Sequence, residues 1–323
     1  MHNLLAQTYD RLHGGKCLSR ADALQLSRIP DPGAFFALAD TIRRDFMGNR
    51  FHLCSIINAR SGNCSEDCRF CAQSRRHTTE VAAYEVIAKE QALKQAKNSD
   101  QHGVRRLSLV TSGRRLTDAQ LEEMRHLYAA IAGETSLALC ASTGLLDGDG
   151  LQRLKKMGVS RYHCNLETSA SFFPRVCTTH SHRQKAQTLK QAERVGLSLC
   201  SGGIIGMGES MEDRIDLAFE LRELGVKSIP INILTPIAGT PLADQSALPL
   251  QEVLMTVALF RLINPDAVIR MAGGRQQLGR DQYRCFTAGA NGAIVGNFLT
   301  TVGSGIEDDL HAFTDLGFVV SGE

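Results

Sequence analysis

Apolar runs of strand length alternate with amphipathic segments of helix length along most of this chain. The pattern predicts strands at 51–58, 106–111, 136–141, 160–167, 197–203, 228–234, 267–271 and 292–296. Helical patterns fill the spaces between them, including 118–133, 150–158, 183–196 and 211–225, and several end on a glycine suited to a helix C-cap. Repeated βα units imply a parallel sheet with right-handed crossovers, and eight of them suggest an α/β fold of the TIM-type (β/α)8 barrel. An open doubly wound sheet is the alternative arrangement. Residues 1–45 read as a helical N-terminal extension, 46–323 as the barrel, and 303–317 as a last helix packed outside it.

Strand parity sorts the side chains, because neighbours point to opposite faces of a sheet. Leu137 and Leu139 facing the helices would turn Ser136, Ala138 and Cys140 inward. The same logic sends Ser198 and Cys200, Arg106 and Ser108, and His52 and Cys54 to the interior. Ser228, Asn232 and Arg270 join them, while His163, Asn165 and Glu167 alternate against Tyr162, Cys164 and Leu166. A purely structural barrel fills its layers with branched apolar residues. An interior with three cysteines and two arginines therefore calls for a ligand or cofactor, since unpartnered buried polar groups are costly.

Composition narrows the class. The chain has 323 residues, 43% hydrophobic and 22% charged, which is the make-up of a soluble globular protein. A formal net charge of +2, with short basic clusters at Arg75-Arg76 and Arg105-Arg106, offers no stripe for nucleic acid. No signal-peptide core or membrane span is read, so the expected setting is the cytoplasm. Ten cysteines in a reduced compartment then point to metal ligation, catalysis or plain burial rather than disulfides.

Cys64, Cys68 and Cys71 form a C-x3-C-x2-C run just after the first strand, at the rim where active sites of this architecture sit. Three thiolates suit an iron-sulfur cubane with one iron left open for a substrate or cosubstrate. A zinc knuckle would want a fourth ligand at compact spacing, and His77 follows too distantly. Cys177, after the fourth strand, is a reserve ligand, Cys17 and Cys285 read as inert, and His180 and His182 read as loop groups.

With Phe70 as the aromatic residue before the last cysteine, the triplet resembles the signature of radical S-adenosylmethionine (SAM) enzymes, whose open iron is chelated by SAM. Longer stretches, SGNCSEDCRFCAQS, RYHCNLETS, CSGGIIGMGES, SIPINILTPIAGTPL, IRMAGGRQQ and AGANGAIVGNFLTT, resemble the biotin synthase family from about residue 45 onward. The resemblance implies a [4Fe-4S] cluster on Cys64, Cys68 and Cys71, and SAM cleaved to methionine and a 5′-deoxyadenosyl radical. It further implies dethiobiotin as substrate, sulfur drawn from an auxiliary cluster, a flavodoxin- or ferredoxin-type electron donor, and a homodimer. Phe70, Asn165, Glu167, Gly202, Gly203, Ile204 and Gly206 match cofactor-bordering positions, and His163, Asn165 and Asn232 match substrate-contacting ones.

Departures from the family pattern carry the sharper expectation. The usual auxiliary cluster is a [2Fe-2S] rhomb on three Cys and one Arg, and Cys140, Cys200 and Arg270 match three of those ligands. Ser108 stands where the second-strand Cys usually stands, and Cys54 where the family usually has Ser. Glu167 replaces a usual Asp and His163 a usual Asn. Cys54 lies four or five residues below its strand top, roughly 15 Å at 3.3 Å per residue, well beneath the rim. The expectation is an auxiliary site rebuilt on Cys54, Cys140 and Cys200 with Arg270, as a [2Fe-2S] or a four-iron cluster. Against it stands a merely buried Cys54 beside a degenerate site. Two other functions stay open: a barrel relative of the hydrogenase-maturation or methylornithine-forming type, and a noncatalytic iron-sulfur carrier or redox sensor.

Overall fold

The computed structural model describes residues 2–296, 299 and 305–320. Three helices open the chain, α1 (His2–His13), α2 (Arg20–Leu26) and α3 (Gly33–Met47). Strands and helices then alternate: β1 (His52–Arg60), α4 (Lys89–Gln101), β2 (Arg106–Thr111), α5 (Asp118–Glu134), β3 (Ala138–Ser142) and α6 (Gly148–Lys156). They continue through β4 (Val159–His163), α7 (His182–Arg194), β5 (Ser198–Cys200), β6 (Gly203–Ile205), α8 (Met211–Glu223) and β7 (Ser228–Ile233). The series closes with α9 (Leu250–Ile263), β8 (Val268–Met271), β9 (Gly292–Ile294) and α10 (Ile306–Asp315).

Local chemistry decides where the crossover helices begin. Thr117, Ser181 and Ser210 each accept a backbone N–H from the third helical residue, and Gln120, Gln184 and Asp213 reach back to complete capping boxes. Asp147 caps α6 through the Gly150 amide. Gly158, Gly196 and Gly225 follow α6, α7 and α8 with positive φ, as the sequence pattern predicts.

The strands pair in the order β5-β4-β3-β2-β1-β9-β8-β7-β6, all parallel, and Cys200 of β5 also pairs with Ser228 of β7 to close the ring. Both β5 and β6 lie beside β7, so they form one stave broken at Ser201-Gly202, and the barrel has eight staves. This is the expected closed barrel rather than the open sheet. Two expected strands differ. The stretch 197–203 is split by that break, and the fourth strand ends at His163 instead of running to residue 167. Of the stretch AGANGAIVGNFLTT, residues 297, 298, 300 and 301 lie outside the described residues, as do 303 and 304 of the expected last helix.

The N-terminal helices lie against the outer helices, α2 on α8 and α3 on α9, with Arg20 donating to Asp216 at 2.5 Å. The last helix packs onto the N-terminal end of β1. Phe313 stacks on Phe51 at 3.9 Å, with Phe286 and Phe318 at their edges. A buried Arg275–Asp309 pair, joined by the Tyr283 hydroxyl at 3.1 Å, pins α10 in place. Among the described residues no helix is long and apolar enough to cross a membrane. Because Phe313 is fully buried in this aromatic cluster, Phe313→Ala is expected to cost about 3–5 kcal/mol of stability in denaturant unfolding. A loss under 1 kcal/mol, by the ordinary scale of surface substitutions, would contradict the packing described.

Candidate active site

Inside the barrel lies a cavity of about 330 Å³. Alternate residues of β1, β3 and β5 bring Cys54, Cys140 and Cys200 to it, and β8 adds Arg270. Each thiol is buried, and Arg270 is 2% exposed. Its Nη1 donates to Ser228 Oγ at 2.7 Å, but Nε and Nη2 are buried without a partner among the described residues. Such a guanidinium is costly unless an anion answers it. Burial raises Cys54, with Arg270 opposing, and pushes Cys140 up to about 12. Cys200 differs: burial works against its ionisation, but the charge and hydrogen bond of His163, with Arg270 and Arg161, lower it to about 6. His163 Nδ1 lies 3.3 Å from Cys200 Sγ. The unpaired N–H groups and the ring of thiols fit a sulfide-rich anionic cluster.

Above this cavity, the loop after β1 carries the three other thiols. Cys64 N donates to Gln73 O, Arg75 N to Cys64 O and Cys71 N to Cys68 O, each at 2.9 Å, which folds the loop back on itself. Asn63, at φ 50, makes the turn into it, a conformation that Asn tolerates better than most residues. Cys64, Cys68 and Cys71 line a second cavity of about 180 Å³, which shares Phe70, Cys164, Glu167 and Lys185 with the inner one. Burial, and to a lesser degree the Cys64 charge, pushes Cys71 up to about 11. Three convergent thiols on one loop, Cys64 buried and Cys68 and Cys71 partly exposed, fit the expected cubane.

Glu167 stands between the two cavities. Its φ of 72 is left-handed, a strain of roughly 1–3 kcal/mol for a residue with a side chain. The backbone holds it there: Glu167 N donates to Gly202 O at 3.1 Å and Ile204 N to Glu167 O at 2.8 Å. Its Oε1 lies 3.3 Å from Lys185 Nζ, while Oε2 is buried without a partner among the described residues. Burial opposes the Lys185 charge, but Glu167 and neighbouring thiols raise its pKa well above the usual value. The charge partner of Glu167 is thus a lysine from a helix.

Several other expectations change. Ser136 lies before β3, exposed and bonded to Asp100 at 2.7 Å, and Ser198 is exposed at the lower end of β5, so neither faces the cavity. Cys164, expected to pack outward, lines both cavities because β4 has already ended. Gly202 and Gly203 were expected to admit adenine. A Cβ on Gly202 would strike the Pro230 carbonyl, and one on Gly203 the Glu167 carbonyl, so their smallness first serves backbone packing around the broken stave. Ile204 lines the inner cavity, whereas Gly206 belongs to a turn whose amide donates to buried Glu209 at 2.8 Å. Asn232 lines the cavity with its side chain pinned between Gly203 O, at 3.2 Å, and Gly273 N, at 2.9 Å. Asn165 also lines it and accepts from Gly202 N at 3.0 Å.

Three cavity features escape the sequence reading. Arg161 lines the inner cavity, and parity with His163 could have found it. Lys185 comes from α7, where strand parity says nothing. His180 lies in the loop before α7, as expected, but its side chain is buried 2.6 Å from Glu66, beside Cys177 and Cys68. His182 opens α7 instead of lying in a loop.

A closed parallel barrel with a rim triplet of thiols above a polar inner cavity defines a radical SAM enzyme, and the Radical SAM superfamily matches residues 59–235. The Biotin and Thiamin Synthesis associated domain matches residues 230–319. Biotin synthase of Desulfotalea psychrophila is 53% identical, covering 96% of this chain and 93% of its own. Biotin synthase of Heliobacterium modesticaldum is 47% identical, covering 99% of each chain. The chain belongs to the biotin synthase family. Among solved structures, methylornithine synthase aligns with TM-score 0.83 at 18% identity over 97% of each chain. The hydrogenase maturase of Carboxydothermus hydrogenoformans aligns at 0.81 and 18% over 98% of this chain and 79% of its own. At these identities the likeness shows the fold alone.

The Cys200 thiol gives a pH signature. It is protonated below about 6 and ionised above, so the ultraviolet thiolate absorbance of cluster-free wild type minus Cys200→Ser is expected to rise through that pH. His163→Ala should move the rise upward, and a midpoint at the ordinary thiol value in the parent would refute the arrangement.

Proposed function

We propose that this chain inserts sulfur into dethiobiotin to form biotin, as a radical SAM sulfurtransferase whose sulfur-donating auxiliary cluster is held by Cys54, Cys140 and Cys200 with Arg270. The carrying observation is that these four groups face one cavity while two Arg270 nitrogens, Nε and Nη2, have no hydrogen-bond partner among the described residues. When bound, the rim [4Fe-4S] cluster and SAM supply a 5′-deoxyadenosyl radical, and the auxiliary cluster supplies sulfide.

The chain's own residues bind, orient and exclude water. Cys64, Cys68 and Cys71 hold the rim cluster, with Phe70 packed against Phe172, Met207 and Leu234 to roof the space beside it. Glu167, held by Lys185, would offer its Oε2 as a hydrogen-bond acceptor to SAM, and Asn165 and Ile204 border the same space. Asn232 presents a side chain already fixed by backbone bonds to the substrate's polar end, so little orienting entropy remains to be lost. His163 holds the Cys200 thiolate and thereby the depth of the sulfur source.

A thiolate lost from β2, where Ser108 stands, is supplied by β1. Cys54 pairs with Arg106 and Ser108 with Cys140, which puts Cys54 two residues below the Ser108 level on the neighbouring stave. Family kinship also supports a flavodoxin- or ferredoxin-type electron donor, a homodimer and a cytoplasmic setting. Residues 1–45 act as an extension to a barrel that occupies 46–323.

Anaerobic reconstitution tests the reading. Wild type is expected to hold iron and sulfide beyond the rim cluster by Mössbauer spectroscopy and to make biotin. Cys54→Ala is expected to keep the rim cluster and cleave SAM, yet make no biotin. Equal cluster content in both proteins, or biotin from the variant, would remove Cys54 from the ligand set.

A further inference from the structure

Cys177 and His180 have no part in the function proposed above, yet both press against the loop that carries Cys68. One ligand atom from each of Cys68, Cys177 and His180 lies within 4.8 Å of the others. Two adjacent carboxylates hold this group. Asp67 accepts from the Cys177 thiol at 3.1 Å and from the amides of Thr178 and Thr179 at 2.9 and 3.1 Å. Glu66 Oε2 lies 2.6 Å from His180 Nδ1, which is 3.3 Å from Cys177 Sγ. His180 Nε2 is buried without a partner among the described residues, on a side chain only 6% exposed. Carboxylate-held imidazoles are the usual form of metal-binding histidines.

The group also has an access route. Cys177 and His180 line an outer pocket with Phe173, Thr178 and Glu220, whereas Cys68 and His180 line the rim cavity with Cys64 and Cys71. The trio therefore bridges an outward-facing pocket and the place where the cluster is held. Two thiols and one imidazole suit a tetrahedral site for a borderline divalent transition ion with water as fourth ligand. Bonds of roughly 2.0–2.3 Å in a tetrahedron hold ligand atoms under about 4 Å apart, so a small inward movement completes it.

We propose that Cys68, Cys177 and His180 bind one divalent ion, ferrous iron, in the cluster-free chain, as a landing site from which iron reaches the rim loop. The inference rests on the reading of Cys68 as a rim-cluster ligand. Since Cys68 serves both sites, the single ion and the cluster exclude each other, and the landing site exists only until the cluster forms. Ion binding releases thiol protons and needs no oxidant or reductant.

The test uses the cluster-free full-length chain with Cys54, Cys140 and Cys200 changed to Ser, so that inner thiols cannot answer. Anaerobic Co²⁺ titration should give one tetrahedral ion with thiolate charge-transfer bands. Affinity should fall about 10–100-fold in Cys177→Ser and in His180→Ala, and hold in Cys64→Ala, with circular dichroism confirming the fold. In the otherwise unchanged chain, Cys177→Ser should slow rim-cluster formation from Fe²⁺ and sulfide several-fold while reaching the same final iron content. Co²⁺ affinity indifferent to Cys177→Ser, or lost equally in Cys64→Ala, would overturn the site. Unchanged assembly kinetics would overturn the landing role. Failure of the functional reading would show separately, as an unsubstituted chain that assembles no rim cluster.

Discussion

Arg270 sits inside the barrel with two nitrogens that no atom of the described residues satisfies, and three buried thiols share its cavity. That buried cation sets the terms for the interior. Guanidinium N–H groups left without acceptors in a low-dielectric space destabilise the fold by several kcal/mol in order of magnitude. An anion bound in the cavity would give those groups an acceptor, which is what the proposed auxiliary cluster would supply. Ser228 fixes the orientation of both partners, accepting from Arg270 and donating to Cys200.

The same economy organises the upper storey. Glu167 is held in a left-handed conformation by bonds to Gly202 and Ile204, at the point where β5 and β6 are broken at Ser201-Gly202. The break lets two glycines approach the Pro230 and Glu167 carbonyls where any side chain would collide. Strain at Glu167 and the interrupted stave are thus one feature, and together they aim a carboxylate between the rim thiols and the inner cavity. Lys185 from α7 neutralises it, which keeps both charges tolerable in a buried place.

Access to the rim loop comes from its outer side. Glu66 and Asp67 belong to the Cys64–Cys71 loop, yet they spend their hydrogen bonds on the turn at 177–180. The loop's shape therefore depends on a segment more than a hundred residues later. This coupling leaves Cys177 and His180 poised beside Cys68 without entering the rim cavity through Cys177.

Strand parity by itself determined that Cys54, Cys140, Cys200 and Arg270 face one interior, because alternate residues of a strand must point the same way. The C-x3-C-x2-C spacing and the longer motifs likewise determined the rim thiols and the family, since both are local in the chain. Parity failed where the strands did, at Cys164 past the end of β4 and at Ser136 before β3. Only the tertiary structure decided that Lys185, from a helix, pairs with Glu167, and that His163 shifts Cys200. Only it joined Cys177 and His180 to Cys68. Such contacts depend on how helices and turns dock over a closed ring, through distances between segments that no local period encodes.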